Sequence, residues 1–224
     1  MATVYPDYDG VVFKYATDSW TNVRAASIGS LNTVSSAYLY NFHTAGRGAD
    51  TFQIGRYFLE FDTSAITDTL SSATLKIKGA SGVTNLDVML VKGSQSGSVV
   101  AGDFNQISGG GTALLNSDGS GAGTFAGTPV VEYSSELTTW SSSGYNDISL
   151  NATALTDIKD NSTFHCVLIG YDYDYLDQDL SGGATYGIRL RQDSSVGTSS
   201  DPYIDYTVET AYVVDNAIFF GTNF

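Results

Sequence analysis

Apolar and polar residues alternate with a period of two along most of this chain, the spacing of strands with one face in a core and one in water. The clearest case is Phe52–Asp62, FQIGRYFLEFD, where Tyr57, Leu59 and Phe61 share one face and Arg56, Glu60 and Asp62 take the other. In ATLKIKG, Leu75 and Ile77 point inward and Lys76 and Lys78 outward. The stretch Asp87–Val91, within LDVMLV, is apolar on both faces and is expected at the centre of its sheet. Further strands are expected at Val11–Tyr15, Ala37–Phe42, Val130–Tyr133, Asp147–Leu150, Thr163–Tyr171, Gly187–Leu190 and Tyr203–Val208. About ten short strands, with glycines clustered between them, predict an all-β fold: an antiparallel, jelly-roll-like β-sandwich.

Helical spacing is almost confined to NATALTDIKD. There Asn151 is placed to cap a short helix, and Leu155 and Ile158 repeat at its period. The Gly-rich stretch from Ser108 to Gly127 reads as a long surface loop, because the strands on either side need partners from the other half of the chain. Residues 1–208 are therefore expected to form one sandwich domain. Residues 209–224 form an extension with Tyr212, Val213, Ile218, Phe219, Phe220 and Phe224, too apolar to be left in water. Ile218, Phe219, Phe220 and Phe224 are the expected assembly contacts, as an added strand or on a neighbouring subunit.

Composition narrows the function. Ten Lys and Arg against 24 Asp and Glu give a net charge of −14, which repels phosphate and argues against direct nucleic-acid binding. Charged residues make up only 15%, and the polarity comes from Ser, Thr, Asn and Gly, as on proteins that live outside cytoplasm. No run is long and apolar enough for membrane insertion, and the N-terminus does not read as a secretory signal. Either a signal has been removed, or the protein leaves its cell by another route, as a virus particle released by lysis does.

Candidate chemistry is sparse. A single cysteine, Cys166, excludes an internal disulfide. It adjoins His165 in a strand, so the two side chains point to opposite faces and form no thiolate–imidazole pair. His43 reads as a loop residue. Glu60 and Asp62 share a strand face as a glycosidase carboxylate pair would, but an outward carboxylate row is the plainer reading. The chain is not expected to be an enzyme, and no cofactor is implied. The densest constellation is Tyr171–Asp179, YDYDYLDQD. Continued as a strand, it would put Asp172 and Asp174 on one face, with Asp177 and Asp179 in the following turn. Four carboxylates so close are a calcium candidate; the alternatives are a solvated acidic strand end, or pairing with Arg189 and Arg191. Trp20, Trp140 and Tyr173 are candidates for stacking on sugar rings, against the plainer reading that tryptophans in such settings are buried.

Two stretches resemble a known family. GRYFLEFDTSAITDTLSSATLKIKG, through Phe58, Phe61, Asp62, Ser64, Ile66, Ser72, Ala73, Thr74 and Leu75, is similar to the signature of the DNRLRE-type, carbohydrate-binding-module-like β-sandwich. The closing Asp201, Pro202, Tyr203, Ile204 and Tyr206 are similar to its last strand. The opening VYPDYDGVVFK and the segment WTNVRAA resemble versions found in structural proteins of tailed bacteriophages. The resemblance implies a virion structural protein on the particle exterior, a capsid decoration or head-fibre protein. Its partners would be sister subunits (a homo-oligomer, with a trimer among the options) and capsid or tail proteins. The alternative it carries is a glycan-binding module, in a tail receptor-binding protein or a secreted protein, meeting a host surface glycan.

Overall fold

The computed structural model describes residues 2–32, 34–107, 124–125, 128–178, 180, 182–192 and 199–209. Its frame is antiparallel β-structure in two layers, as the alternation predicts. The small layer runs β1 (Ala2–Val4), β13 (Tyr203–Val208), β6 (Leu70–Thr84), β10 (Tyr145–Ser149), with Ile204 and Ile148 flanking Leu75 from opposite sides. The large layer is reached through the same β6. Gly79 and Thr84 pair with β12 (Thr185–Arg191), which pairs with β4 (Ser36–Thr44). Next comes β5 (Thr51–Asp62), lined along one edge by β2 (Pro6–Thr17) and then by the short β3 (Ser30–Asn32). Along its other edge β5 meets β4 over Thr51–Ile54 and β11 (Thr163–Gly170) over Tyr57–Asp62, so the sheet forks midway. Beyond β11 lies β7 (Val88–Lys92). A small hairpin of β8 (Thr124–Phe125) and β9 (Thr128–Pro129) stands apart.

Between the layers lies the main core. Leu75, Ile77, Ile148 and Ile204 meet Leu39, Tyr57, Leu59, Phe61, Cys166, Leu168 and Ile188 there. The large sheet also buries its far face, where Val12, Ile54, Phe58, Met89, Val91, Val167 and Ile169 are roofed by Trp20, Val23 and Phe104. This second core corrects the reading of β5 as half-exposed: Arg56 is 0% and Glu60 8% exposed. Its roof contains α1 (Trp20–Arg24), which the alternation missed. Ser19 caps it by accepting from Asn22 N, and the Asp18 carboxylate accepts from Ser19 N and the Asn22 amide. A 3₁₀ turn at Ala101–Asn105 completes the roof.

Other differences have local causes. β7 is apolar on both faces because each face meets a core, yet it ends its sheet. Its outer edge is closed by the irregular stretch 131–137, through Lys92 N to Val131 O, Tyr133 N to Leu90 O and Leu137 N to Val88 O. The expected strand Val130–Tyr133 is thus irregular backbone with a single bridge, Glu132 to Val91. The expected helix is α2 (Ala152–Asp160), with Asn151 accepting from Ala154 N at 3.0 Å and Ile158 fully buried. His43 is not in a loop: it lies in β4, stacked on Phe52 at 4.6 Å, with Gly183 N donating to Nδ1. Of the Gly-rich loop, residues 108–123, 126 and 127 lie outside the described residues, as does the extension from residue 210 onward.

Candidate functional site

The acidic segment does not continue β11. Strand β11 stops at Gly170, where a Cβ would overlap the buried Asn41 amide, and Tyr171–Tyr175 wind into one π-helical turn closed by Leu176 N to Tyr171 O at 2.9 Å. That turn swings Asp174 into the second core, where it is 0% exposed. Its two oxygens accept from Arg56 Nε and Nη2 at 2.7 Å each, a bidentate fork. Arg56 Nη1 donates to Phe104 O at 2.6 Å and Nη2 to Arg24 O at 3.1 Å, while the guanidinium lies 4.2 Å from the Phe104 ring centroid. Arg24 Nε donates to the Asp174 carbonyl at 2.8 Å, and its Nη1 lies 3.2 Å from Asp177 Oδ2. Burial pulls the Arg24 guanidinium below its ordinary value, and the Asp174 and Asp177 charges oppose that pull. Two arginines and two aspartates thereby tie β5, α1, the 3₁₀ turn and the π-turn together.

This node engages two of the four carboxylates of the calcium expectation. Asp174 and Asp177 pair with guanidinium groups, while Asp172 lies near Asp87. Asp179 lies outside the described residues. Among the described residues no group of three or more His, Cys, Asp or Glu is placed to hold a metal. Arg189 does not reach the acidic segment either; it covers the Tyr38 ring at 4.9 Å and donates to Ser81 O and Ser36 Oγ. Arg56 was the legible clue. Its strand neighbours two positions away, Ile54 and Phe58, mark its face as apolar, and an arginine there must bring a counter-charge inside.

Asp172 instead faces Asp87 and Glu136. Burial first, and then the neighbouring Asp87 and Asp172 charges, hold the Glu136 carboxyl above its ordinary range; burial and Asp87 do the same to Asp172. A carboxyl whose pKa is higher folded than unfolded binds protons more tightly in the native state. It therefore adds stability as pH falls from neutral toward the carboxylate range, and withdraws it as pH rises. Glu136→Gln is expected to raise the thermal midpoint at pH 7 and to lessen that acid-side gain. Parallel melting-versus-pH curves for variant and parent would contradict it.

The aromatic side chains nominated for sugars pack inward. Trp20 is 5% exposed, against Phe52 and edge-on to Tyr173; Trp140 is 8% exposed, with Nε1 donating to Arg189 O at 3.2 Å. Tyr173 lies against Tyr186 at 4.8 Å. Aromatic surface is offered elsewhere, on the outer face of the small sheet. There Tyr203 meets Tyr145 at 5.1 Å and Tyr5 at 5.9 Å, beside Lys78, 5.8 Å from the Tyr145 centroid. Tyr5 is 38% exposed, whereas the Tyr145 hydroxyl is held by the Ser199 and Asp201 carbonyls. In sequence these rings sit on three distant segments, and only strand register brings them together.

His165 and Cys166 do face opposite ways. His165 Nε2 lies 2.9 Å from Glu60 Oε2, which also accepts from Gly97 N, while Cys166 is buried in the main core. Burial pushes the thiol well above its ordinary value, so little thiolate exists at neutral pH. Cys166 is expected to resist alkylation by iodoacetamide in the native protein and to react fully in denaturant; prompt native labelling would contradict its burial. The assembly residues Ile218, Phe219, Phe220 and Phe224 lie outside the described residues. The described chain ends at Glu209, whose N–H donates to Thr69 O at 2.8 Å, one step past the pairing of Val208 with Leu70. No protein-family model matches this chain, and no curated protein matches it.

Proposed function

We propose that the protein is a bacteriophage virion component, a capsid decoration or head-fibre protein on the particle exterior, acting by association and not by catalysis. The observation that carries this reading is the apolar segment Tyr212–Phe224 following a sandwich whose last strand is already packed: Ile204 of β13 is 0% exposed. Each large apolar side chain of that segment gains roughly 1.5–3 kcal/mol on burial, a strong drive toward a neighbouring surface. The resemblance of VYPDYDGVVFK and WTNVRAA to tailed-bacteriophage structural proteins supplies the setting, with sister subunits and capsid or tail proteins as partners. Antibody labelling of purified particles is the test. Regular decoration of heads or tails supports the reading; a chain absent from intact particles overturns it.

A second reading has its own observation. The Tyr5–Tyr203–Tyr145 cluster, flanked by Lys78, offers ring surface on an outer sheet face, as a glycan-binding module would. Saturable binding to a host polysaccharide that is lost in Tyr203→Ala would favour it, and binding unchanged by that substitution would dismiss it.

A further inference from the structure

Helix α2 spends Ala154 and Ile158 on the core, but it carries a second stripe. Ala152, Leu155, Thr156 and Lys159, spaced as i, i+3, i+4 and i+7, line a groove closed on its other side by Thr69 and Leu70 of the β6 end. The groove holds about 230 Å³, with half-buried Leu155 and buried Leu70 in its lining. That is less than the roughly 300–1,000 Å³ usual for small-molecule sites and suits one or two large side chains. Glu209, the last described residue, lies at the groove's rim, with its N–H donating to Thr69 O.

Resting on the assembly reading above, we propose that this groove receives the apolar C-terminal segment of a second copy of this chain, with Phe219 and Phe220 as its anchors. Reach allows a second copy. Phe219 stands ten residues past Glu209, up to about 35 Å when extended. That span is enough to bring the anchors to the equivalent groove of a neighbouring copy. Each chain carries such a segment and this groove, so exchange fills every groove in a closed assembly, a reciprocal pair being the smallest. Charge is compatible as well. Asp215 is the only charged side chain from Thr210 to Phe224, so this part of a −14 protein approaches another copy with little repulsion, and the groove's own charges, Lys159 and Asp160, pair with each other at 3.1 Å.

The test is sedimentation of the full chain beside two variants. Phe219→Asp with Phe220→Asp disables the segment. Ala152→Arg with Thr156→Arg fills the groove from exposed helix positions and, by lowering the net negative charge, would not weaken association through repulsion. Both variants are expected to melt like the parent and to associate about a hundredfold more weakly or worse, the scale of a lost anchor. Mixed together they should form a one-to-one dimer, since one supplies an intact segment and the other an intact groove. If the groove variant assembles like the parent while the segment variant does not, the groove assignment is wrong and the assembly reading stands. If the parent is monomeric at every concentration, both fall.

Discussion

Replacing Arg56 by methionine is expected to cost about 3–5 kcal/mol, because it leaves the Asp174 carboxylate buried without its bidentate partner. For a chain of this size that lowers the melting temperature by about 10 °C or more. The loss should be partly recovered by adding Asp174→Leu, which removes the charge left with only Arg24, 3.5 Å away; a buried ion pair is costly to break and far less costly to replace whole. Trp20 reports the event, since it packs edge-on to Tyr173 of the same π-turn. Its fluorescence should shift red in the single variant and return toward the parent in the double. A single variant as stable as the parent would mean that water reaches Asp174, contrary to its complete burial.

Gly79→Val is expected to be nearly as damaging. Gly79 stands where β6 passes from one layer to the other, with its N–H donating to Gly144 O and its Cα facing Leu190 across the ladder. An added Cβ would fall inside the contact distance of the Ser141 carbonyl oxygen and press on the Trp140 indole nitrogen. Backbone cannot yield as a side-chain tip does. The substitution should therefore cost about 3 kcal/mol, at the upper end of the usual range for overpacking. Urea titration would show it as a lower midpoint. The same substitution at Gly97 already strains a positive φ of 73° but meets no atom within 4 Å, and it separates the two effects.

Much of the fold was written in the alternation. A residue's face in β5, β6 or β13 is fixed by period-two spacing, and the structure uses those faces as read for Tyr57, Leu59, Phe61, Leu75 and Ile77. The second core was harder to see. Its roof is made of short turns, α1 and Ala101–Asn105, too brief to leave a periodic signature, and held by Ser19 and by the arginine node. The acidic segment was misread for a physical reason. Alternating Tyr and Asp fit a strand, but the ladder ends at Gly170, which packs against Asn41 where no side chain fits, and the buried Arg56 holds Asp174 inside. The tyrosine cluster of the small sheet was beyond reach, since register, and not spacing along the chain, assembles Tyr5, Tyr145 and Tyr203.

In the assembly proposed above, a self-sufficient sandwich joins its neighbours through the apolar segment that follows β13 in sequence. That assembly is tested most directly by comparing the full chain with one ending after Glu209, by sedimentation and thermal melting together. The expected result is a closed oligomer for the full chain, and a well-folded monomer for the shortened one. A monomeric full chain whose melting temperature collapses on shortening would contradict it, because the segment would then belong to the protein's own core.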